Sequence, residues 1–321
     1  MASTAKIMTA LLVLEDHPLA VNEPGPVLTV TRADVATYID ERNANESVVP
    51  VQAGEQLSEY QLLQGLLLPS GSNFAAMLAT WDQGNIPAFI ARMNARAASL
   101  GMAATHYDDV SGFSAASVSM PADLIKLAQT AMRLPVFAQI VAQPQATLPV
   151  AGVIHNLNTL LGQNGVVGIK TGHTDQAGGC LVFAADSTVE GQPVRIYGAV
   201  MGQPNALAGA FAAATPLLSA TRATLHVRQV LGRHDVVAHY STAWGEGGPI
   251  VAAQPVSWLL MDGATVTRHV TINPIPAALA AGSRVGTLSL ESGNQRAEVP
   301  LIIEAAINGP DLSWRLTRGL S

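Results

Sequence analysis

Residues 3–16 have the sequence STAKIMTALLVLED. Its apolar side chains stand at positions 7, 8, 11, 12 and 14, which is the spacing of a helix that packs on a core. Ser3 and Lys6 are three residues apart, so on such a helix they share one face and the hydroxyl can meet the amine. The stretch therefore predicts a core helix that carries a Ser-x-x-Lys pair at its start.

A Ser-x-x-Lys pair supports nucleophilic catalysis only if the lysine is neutral. A serine hydroxyl attacks a carbonyl when a base removes its proton, and lysine becomes that base when burial or a nearby cation lowers its pKa. Lowering the pKa from about 10.4 to about 7 costs roughly 4 to 5 kcal/mol, which only a built site supplies. The alternative is a chance pair on a solvated helix face, and the pair alone does not decide between the two.

A second group of polar residues, Lys170-Thr171-Gly172-His173, follows the apolar run VVGI. We expect the lysine and threonine at the end of a core strand, where Gly172 lets a ligand backbone approach closely. Such a strand edge can bind an extended peptide by β-augmentation, with Lys170 or Thr171 at the peptide's terminal carboxylate. A surface turn is the alternative, and the Ser-x-x-Lys pair upstream argues against it.

A third polar group, Ser70-Gly71-Ser72-Asn73, lies at a break between two predicted helices. Small polar side chains at such a break can point into a cleft. A hydroxyl there can relay a proton between a lysine base and a leaving amine, and a neighbouring amide can hold a substrate carbonyl. An ordinary N-cap turn is the alternative.

The composition favours a globular protein and excludes some partners. The 321 residues are 49% hydrophobic and 12% charged, which is enough apolar material for two packed domains. A net charge of -6 and the lack of a basic cluster argue against nucleic acid. The single cysteine, Cys180, excludes an internal disulfide and a cysteine-based metal cage, and the sequence indicates neither a metal nor a cofactor.

The pattern along the chain predicts two domains. In residues 1–222 we expect a catalytic domain of the α/β (α+β) class, in which an antiparallel sheet carries a helical cluster. In residues 223–321, short β-type runs punctuated by Gly, Pro and Asn predict a small all-β sandwich. The helices are expected near 3–16, 59–68, 73–82, 86–100, 120–133 and 205–219, and the strands near 166–170, 179–186 and 194–201.

The order, spacing and flanks of the three polar groups resemble the low-molecular-mass penicillin-binding D,D-carboxypeptidases, which are S11 serine peptidases similar to penicillin-binding protein 5. The resemblance spans nearly the whole chain. It is carried by MASTAKIMTALLVLE, by GEQLSEYQLLQGLLLPSGSNFAAMLA and by HNLNTLLGQNGVVGIKTGHT. AAGSRVGTLSLESGNQRAEVPLIIEAAI resembles the closing strands of the small β-domain that follows the catalytic domain in many members.

The resemblance implies a serine β-lactamase/D,D-peptidase-like fold and a serine-type D-Ala-D-Ala carboxypeptidase. Such an enzyme removes the terminal D-alanine of peptidoglycan stem peptides through an acyl-serine intermediate, and β-lactams are its acylating inhibitors. Ser3 would be the nucleophile, Lys6 its general base, and Ser70 the proton relay toward the departing D-alanine.

The resemblance also implies the residues that bind substrate. Lys170 would help to keep Lys6 neutral and orient the substrate, and Thr171 and His173 would lie beside the terminal carboxylate. The backbone N–H groups of Ser3 and of His173, after Gly172, would form the oxyanion hole. The second motif would also contribute Ser72 and Asn73.

Two features depart from the family pattern. The second motif usually has the form Ser-x-Asn, whereas here Ser72 stands at the asparagine position and Asn73 follows one residue late. Either Asn73 takes over through a local shift, or Ser72 provides a weaker hydrogen bond. The chain also starts two residues before Ser3, so we expect a catalytic sheet without its N-terminal strands, an exposed apolar edge and a poorly anchored Ser3 helix.

Two other functions compete with this interpretation. A class A β-lactamase needs a glutamate-bearing loop, and no Glu-x-x-Leu-Asn segment is present. A non-catalytic peptidoglycan-binding homologue would bind muropeptides without releasing D-alanine. The residues do not decide between carboxypeptidase and endopeptidase preference.

The expected location follows from the substrate. Peptidoglycan lies outside the cytoplasmic membrane, so the parent protein is expected in the periplasm or cell-wall space. The N-terminus lacks the charged segment, apolar core and cleavage site of a signal peptide, and the C-terminal SWRLTRGLS has neither the amphipathicity nor the length of a membrane anchor.

Overall fold

The computed structural model describes residues 1–317. The chain divides into two compact units. The first comprises Met1–Thr188 and Pro193–Ala220, and the second comprises Val189–Gln192 and the chain from Thr221 onward.

The first unit contains a helical cluster and short sheets. Its helices are α1 Lys6–Asp16, α2 Arg32–Asn43, α3 Glu59–Leu67, α4 Ser72–Gln83, α5 Ile86–Ser99, α6 Pro121–Ala131, α7 Pro135–Val141 and α8 Ala206–Ala223, the last of which runs on past Ala220. Its strands are β1 Val27–Thr29, β2 Gln56–Ser58, β3 Gln145–Leu148, β4 Gly152–His155, β5 Val166–Thr174, β6 Gly178–Val189 and β7 Gln192–Gln203. Short 3-10 helices span Ala2–Ala5 and Gln163–Gly165.

Helix α1 lies at the centre of the helical cluster and contacts α3, α4, α5 and α6. Met8, Leu11 and Leu12 are each at most 1% exposed. Burying side chains of this size stabilises a fold by about 1.5 to 3 kcal/mol each. The core helix that the apolar spacing predicts over 3–16 is therefore present, although its first turn is a 3-10 helix.

The start of α1 is firmly held, so the expectation of a poorly anchored Ser3 helix is wrong. Thr4 Oγ1 donates to the carbonyl of Met1 at 2.7 Å, and Thr9 Oγ1 donates to the carbonyl of Val110 at 2.7 Å. Met1, Thr4 and Ala5 are buried. The small side chains at positions 2 and 5 allow this tight packing.

The main sheet of the first unit has the strand order β5-β6-β7, which is three strands among the described residues. Strand β5 pairs antiparallel with β6, with Lys170 opposite Val182 and Gly172 opposite Cys180. The strand continues to Thr174. Lys170 and Thr171 therefore lie within the strand, whereas the sequence had suggested that they lie at its end. Neither Gly168 nor Gly172 ends the strand, and the turn begins at Asp175.

Several short elements of the first unit were not predicted. Helix α2 lies in a region where the sequence pattern was mixed and no helix was predicted. Helix α7 and the β3–β4 hairpin were also not predicted. Helix α2 begins at a capping box, in which Thr31 and Asp34 exchange side-chain to backbone hydrogen bonds. That signal was present in the sequence, but α2 has no buried residue and so no apolar stripe to support it.

The second unit is a β-sandwich. Its strands are β8 Leu225–Leu231, β9 Val236–Ser241, β10 Gly247–Ala252, β11 Val256–Met261, β12 Thr267–Ile272, β13 Arg284–Ser292 and β14 Gln295–Ile303, followed by helix α9 Leu312–Thr317. A five-stranded sheet has the order β12-β13-β14-β10-β9, and a two-stranded sheet pairs β11 with β8. Leu231 of the small sheet packs in one core with Ile250, Leu288 and Leu301 of the large sheet. The predicted all-β sandwich is confirmed.

Within residues 1–317, no helix is long and apolar enough to cross a membrane. The sequence prediction about the C-terminal SWRLTRGLS falls partly on residues 318–321, which lie outside the described residues.

Candidate active site

The Ser3–Lys6 pair lies at the junction of the 3-10 helix and α1. In a 3-10 helix residues i and i+3 stand directly above one another. Lys6 Nζ is 2.9 Å from Ser3 Oγ, which is hydrogen-bond distance. The pair that the sequence predicts on one helix face is therefore formed.

Lys6 is completely buried, and its ammonium group has three acceptors. Besides Ser3 Oγ, Nζ contacts Ser72 Oγ at 3.2 Å and the backbone carbonyl of Ser111 at 3.2 Å. Three acceptors match the three N–H donors of a charged lysine. The site thus holds the amine in one position whether or not it is protonated.

The pKa of Lys6 is lowered to about 8. Burial is the main cause, because desolvation disfavours the charged amine. The carboxylates of Glu46, Asp109 and Glu41 act in the opposite direction and raise the pKa. A drop from 10.5 to about 8 corresponds to roughly 3 kcal/mol. This is somewhat less than the roughly 4 to 5 kcal/mol for a pKa of about 7.

Lys170 is also buried and belongs to strand β5. Its Nζ donates to the carbonyl of Thr171 at 2.9 Å. Burial, followed by the positive charge of Lys6, holds the pKa of Lys170 well below its usual range. The charge of Lys6 thus adds to the effect of burial at Lys170, whereas carboxylates oppose the effect of burial at Lys6.

The second motif places Ser72, not Asn73, against Lys6. The amide of Asn73 is fully occupied by the backbone of Val49, donating to its carbonyl and accepting from its N–H, each at 2.9 Å. Ser72 N donates to the carbonyl of Ser47 at 2.7 Å, which fixes the first turn of α4. The sequence left two alternatives open for the second motif, and the structure agrees with the second. Ser72, at the position of the usual asparagine, makes the contact with Lys6. The expectation that Asn73 binds substrate is not supported by its position.

Ser70 occupies an unusual backbone conformation. Its φ is 71°, in the left-handed region, which costs a non-glycine residue roughly 1 to 2 kcal/mol. The side chain is only 2% exposed, and Ser70 Oγ has no hydrogen-bond partner within residues 1–317. A strained residue with an unsatisfied hydroxyl at a cavity wall is typical of a functional position.

Strand β5 runs beside the 3-10 helix so closely that only glycine fits at position 172. A Cβ atom there would lie 2.8 Å from the backbone nitrogen of Ser3 and 3.1 Å from that of Thr4. Of the two residues that flank Gly172, Thr171 is buried and His173 is exposed. The third motif therefore meets the backbone of the nucleophile segment at Gly172, where the sequence analysis had expected the backbone of a ligand.

Two open cavities meet at Ser3 and His173. One, of about 490 Å³, is lined by Ser70 and Thr171 together with apolar residues that include Leu157 and Leu207, and none of the described residues lining it is acidic. The other, of about 350 Å³, is lined by Ser72 and Phe113 together with the carboxylates of Glu46 and Asp175. The cleft thus has an uncharged half and an acidic half, with the nucleophile between them.

Three residues near Lys6 were missed by the sequence analysis. Ser111 contacts Lys6 through its carbonyl, and its hydroxyl lies 2.7 Å from Asp109 Oδ2 and 3.3 Å from Glu46 Oε2. A backbone carbonyl contact leaves no mark on side-chain identity, and Glu46 comes from a loop with no motif. The proximity of these residues to the Lys6 amine is therefore visible only in the folded structure.

Among residues 1–317, no group of three or more His, Cys, Asp and Glu side chains is arranged to hold a metal ion.

Comparison with known proteins gives a consistent result. Residues 1–205 match the D-alanyl-D-alanine carboxypeptidase family, peptidase family S11. Over 201 residues the chain is 35% identical to a D-alanyl-D-alanine carboxypeptidase of a Streptomyces species, covering 57% of this chain and 67% of that protein. Over 191 residues it is 38% identical to a D-alanyl-D-alanine carboxypeptidase of Mycobacterium tuberculosis, covering 57% of this chain and 61% of that protein. The chain thus spans roughly two thirds of the length of these curated relatives.

Solved structures agree with the predicted fold. The crystal structure of the Streptomyces DD-transpeptidase has a TM-score of 0.60 at 31% identity and covers 68% of this chain and 86% of that one. Penicillin binding protein 5 from Haemophilus influenzae has a TM-score of 0.66, covers 96% of this chain and 90% of that one, and at 22% identity is a likeness of fold alone. The family match covers well over half of the sequence and includes all three polar motifs, so this chain belongs to the S11 family of serine D-alanyl-D-alanine carboxypeptidases.

Proposed function

We propose that this chain removes the terminal D-alanine from peptidoglycan stem peptides that end in D-Ala-D-Ala, through an acyl ester on Ser3. The observation that carries the proposal is the 2.9 Å contact between Ser3 Oγ and the buried Lys6 Nζ. Burial gives the lysine a pKa of about 8, so a useful fraction is neutral near physiological pH. This is the protonation state that a general base requires.

In the acylation step, neutral Lys6 takes the proton of Ser3 while Ser3 Oγ bonds the carbonyl carbon between the two D-alanines. Negative charge then develops on the carbonyl oxygen. The backbone N–H groups of Ser3 and His173 are the proposed donors to this oxygen, a role supported by the close approach of β5 to the 3-10 helix at Gly172. A donor of this kind typically contributes about 3 to 4 kcal/mol to lowering the barrier.

Ser70 is the proposed proton relay to the departing D-alanine. The carbon–nitrogen bond breaks only when the amine receives a proton, and the proton held by Lys6 must cross to it. The role of Ser70 is supported by its unsatisfied hydroxyl and by its position in the wall of the uncharged cavity, together with Ser3 and Thr171. Ser72 is proposed to keep Lys6 in place, in keeping with its 3.2 Å contact.

The charge of the two cavities sets the proposed direction of the substrate. A terminal carboxylate is repelled by Glu46 and Asp175, which line the acidic half of the cleft. The uncharged half offers the Thr171 hydroxyl and the exposed His173. The leaving D-alanine is therefore assigned to the uncharged half, and the rest of the stem peptide to the acidic half.

The same chemistry predicts the inhibitors and the location. A β-lactam acylates Ser3 and leaves no separate amine to depart, so its acyl ester persists. Because the substrate is peptidoglycan, the protein is proposed to act outside the cytoplasmic membrane, in the periplasm or cell-wall space.

Labelling with a fluorescent penicillin tests this function. We expect one penicilloyl group per chain, located on the peptide containing Ser3 by mass spectrometry, together with release of D-alanine from a stem pentapeptide. The Ser3→Ala variant is expected to lose both, whereas Ser99→Ala, a serine-to-alanine change elsewhere on the first unit, retains them. Label on another residue would contradict the assignment of Ser3. Muropeptide binding without labelling or D-alanine release would replace an enzyme with a binding protein.

A further inference from the structure

A cavity of about 440 Å³ lies beside the segment Asn156–Asn158 in the first unit, and the proposed reaction does not use it. Sites for small molecules typically measure about 300 to 1,000 Å³, whereas one water takes up only about 30 Å³. None of the described residues lining the cavity is charged. Most of its wall is apolar and is formed by Ala142, Pro144, Leu161, Val166 and Val167.

Asn158 lines this cavity and carries an unpaired donor. The residue is only 3% exposed. Its Oδ1 accepts from the backbone N–H of Leu160 at 3.2 Å, but its Nδ2 has no hydrogen-bond partner among residues 1–317. Buried amide groups are nearly always paired, so an unpaired donor in a cavity wall indicates that an acceptor enters the cavity.

The neighbouring Asn156 lines the same cavity, but its amide is fully used within the protein. Its Nδ2 donates to the carbonyls of Val141 at 3.1 Å and Gln143 at 3.0 Å, and its Oδ1 accepts from Asn158 N at 2.9 Å. Asn156 therefore fixes the backbone of Asn158. The free donor lies on a segment that is already held in place, as a binding site requires.

The same segment separates the cavity from the active-site cleft. Leu157 lines the uncharged half of the cleft, and its backbone N–H donates to the carbonyl of Leu68 at 3.2 Å. Asn156 and Asn158, on either side of it, line the other cavity. Within residues 1–317, no residue lines both this cavity and either half of the cleft, so the two are neighbouring but distinct sites.

We propose that this cavity binds a small uncharged molecule with an apolar body and a carbonyl oxygen, and that this oxygen accepts a hydrogen bond from Asn158 Nδ2. The apolar wall matches the body of such a molecule, and the unpaired amide matches its oxygen. A charged ligand is disfavoured, because a charge buried against an uncharged wall has no partner. The ligand is therefore not a peptide carboxylate, and the site goes beyond the proposed function and does not depend on it.

Photolabelling with benzophenone tests the site. Benzophenone is uncharged and has one carbonyl between two apolar rings, and on irradiation it adds its whole mass to a nearby C–H bond. We expect mass spectrometry to locate the adducts on peptides that contain residues 142–144 and 161–167.

A pair of competitors tests the role of the oxygen without any change to the protein. Dicyclohexyl ketone and dicyclohexylmethane have the same two rings and differ only in the carbonyl oxygen. The ketone is expected to displace the label at about tenfold lower concentration, because only the ketone accepts from Asn158.

Two variants test the donor. Asn158→Asp keeps the acceptor for Leu160 N but replaces Nδ2 with an oxygen, and labelling below saturation should fall about tenfold. Asn158→Leu removes the donor and leaves an apolar side chain, and labelling should fall likewise. Asn294→Asp makes the same chemical change at an exposed residue of the second unit and should leave labelling unchanged. Circular dichroism checks that each variant is folded.

Three results would overturn the proposal: adducts only outside these peptides, equal displacement by the two competitors, or Asn158→Asp labelled within about twofold of the parent. Saturating penicillin should leave the adducts in place, and their loss would mean that the ketone binds in the cleft instead. If penicillin does not acylate Ser3, the proposed function fails, whereas labelling beside Asn158 would still support this site.

Discussion

The first unit buries two lysines on two different elements, and the comparison between them explains the site. Lys6 on α1 and Lys170 on β5 are each at most 1% exposed, and burial lowers the pKa of both. Lys6 has carboxylates nearby that partly restore its basicity, whereas Lys170 meets the charge of Lys6 instead. Equal burial thus produces two unequal groups: the pKa of Lys6 is lowered to about 8, and that of Lys170 is held well below its usual range by burial and by the charge of Lys6.

Burial lowers the pKa of both lysines, and the carboxylates near Lys6 account for part of the difference between them. Glu41 comes from the end of α2 and Glu46 from the loop after it, and Asp109 comes from the loop before α6. None of them belongs to a motif. The motifs supply the reacting atoms, and residues outside the motifs adjust the pKa of Lys6.

The largest expected effect is that of Lys6→Met, which removes the base and keeps the apolar stem. We expect the rate of acylation by penicillin to fall by about 10² to 10⁴, because general-base catalysis typically contributes about that much. Stopped-flow fluorescence with a labelled penicillin measures it. A loss of less than tenfold would show that another group deprotonates Ser3.

The same variant should be more stable than the parent at neutral pH. The folded pKa of Lys6 is about 8, against 10.5 in the unfolded chain, so the unfolded chain binds more protons between these values. The cost of burying the charge is therefore fully present below pH 8 and is relieved as the pH rises toward 10.5. We expect Lys6→Met to raise the free energy of unfolding at pH 7 by up to about 3 kcal/mol, and urea denaturation should show this gain shrinking above pH 8.

Lys170→Met tests the other half of the comparison. We expect penicillin acylation to slow by about 10- to 100-fold, because the family resemblance implies that Lys170 orients the substrate. The pH at which acylation is half-maximal should stay near 8, since burial is the main cause of the lowered pKa of Lys6. A clear upward shift of this midpoint would mean that Lys170 is charged in the free enzyme.

Glu46→Gln alters the surroundings of Lys6 without touching either lysine. The carboxylate of Glu46 is the leading cause that raises the pKa of Lys6, so its neutralisation should lower that pKa further below 8. The pH midpoint of penicillin acylation is then expected to move to lower pH, and acylation at pH 6 to become faster. A midpoint that does not move would place Glu46 too far from the amine to influence it.

The sequence was sufficient to identify residues whose side chains lie at a fixed spacing along the chain. Ser3 and Lys6 were found because an i, i+3 pair on an apolar helix must lie on one face, and the class of both domains followed from apolar period and turn residues. Poor anchoring of the Ser3 helix was wrongly expected, because contacts to the backbone of Val110 and to β5 do not appear in side-chain patterns. Ser111 and Glu46 were missed for the same reason, since neither their long-range contacts nor their loop positions have a local signal.

The smallest expected effect concerns Ser72, which stands where the family pattern has asparagine. Its hydroxyl lies 3.2 Å from Lys6 Nζ, one of three contacts that hold the amine. Because a single neutral acceptor contributes about 0.5 to 1.5 kcal/mol, Ser72→Ala should slow penicillin acylation by only about 2- to 12-fold. Ser3 Oγ and the Ser111 carbonyl still position the amine in this variant. A loss as large as that of Lys6→Met would mean instead that Ser72, and not Ser70, relays the proton, and the Ser70→Ala variant measured alongside decides between the two hydroxyls.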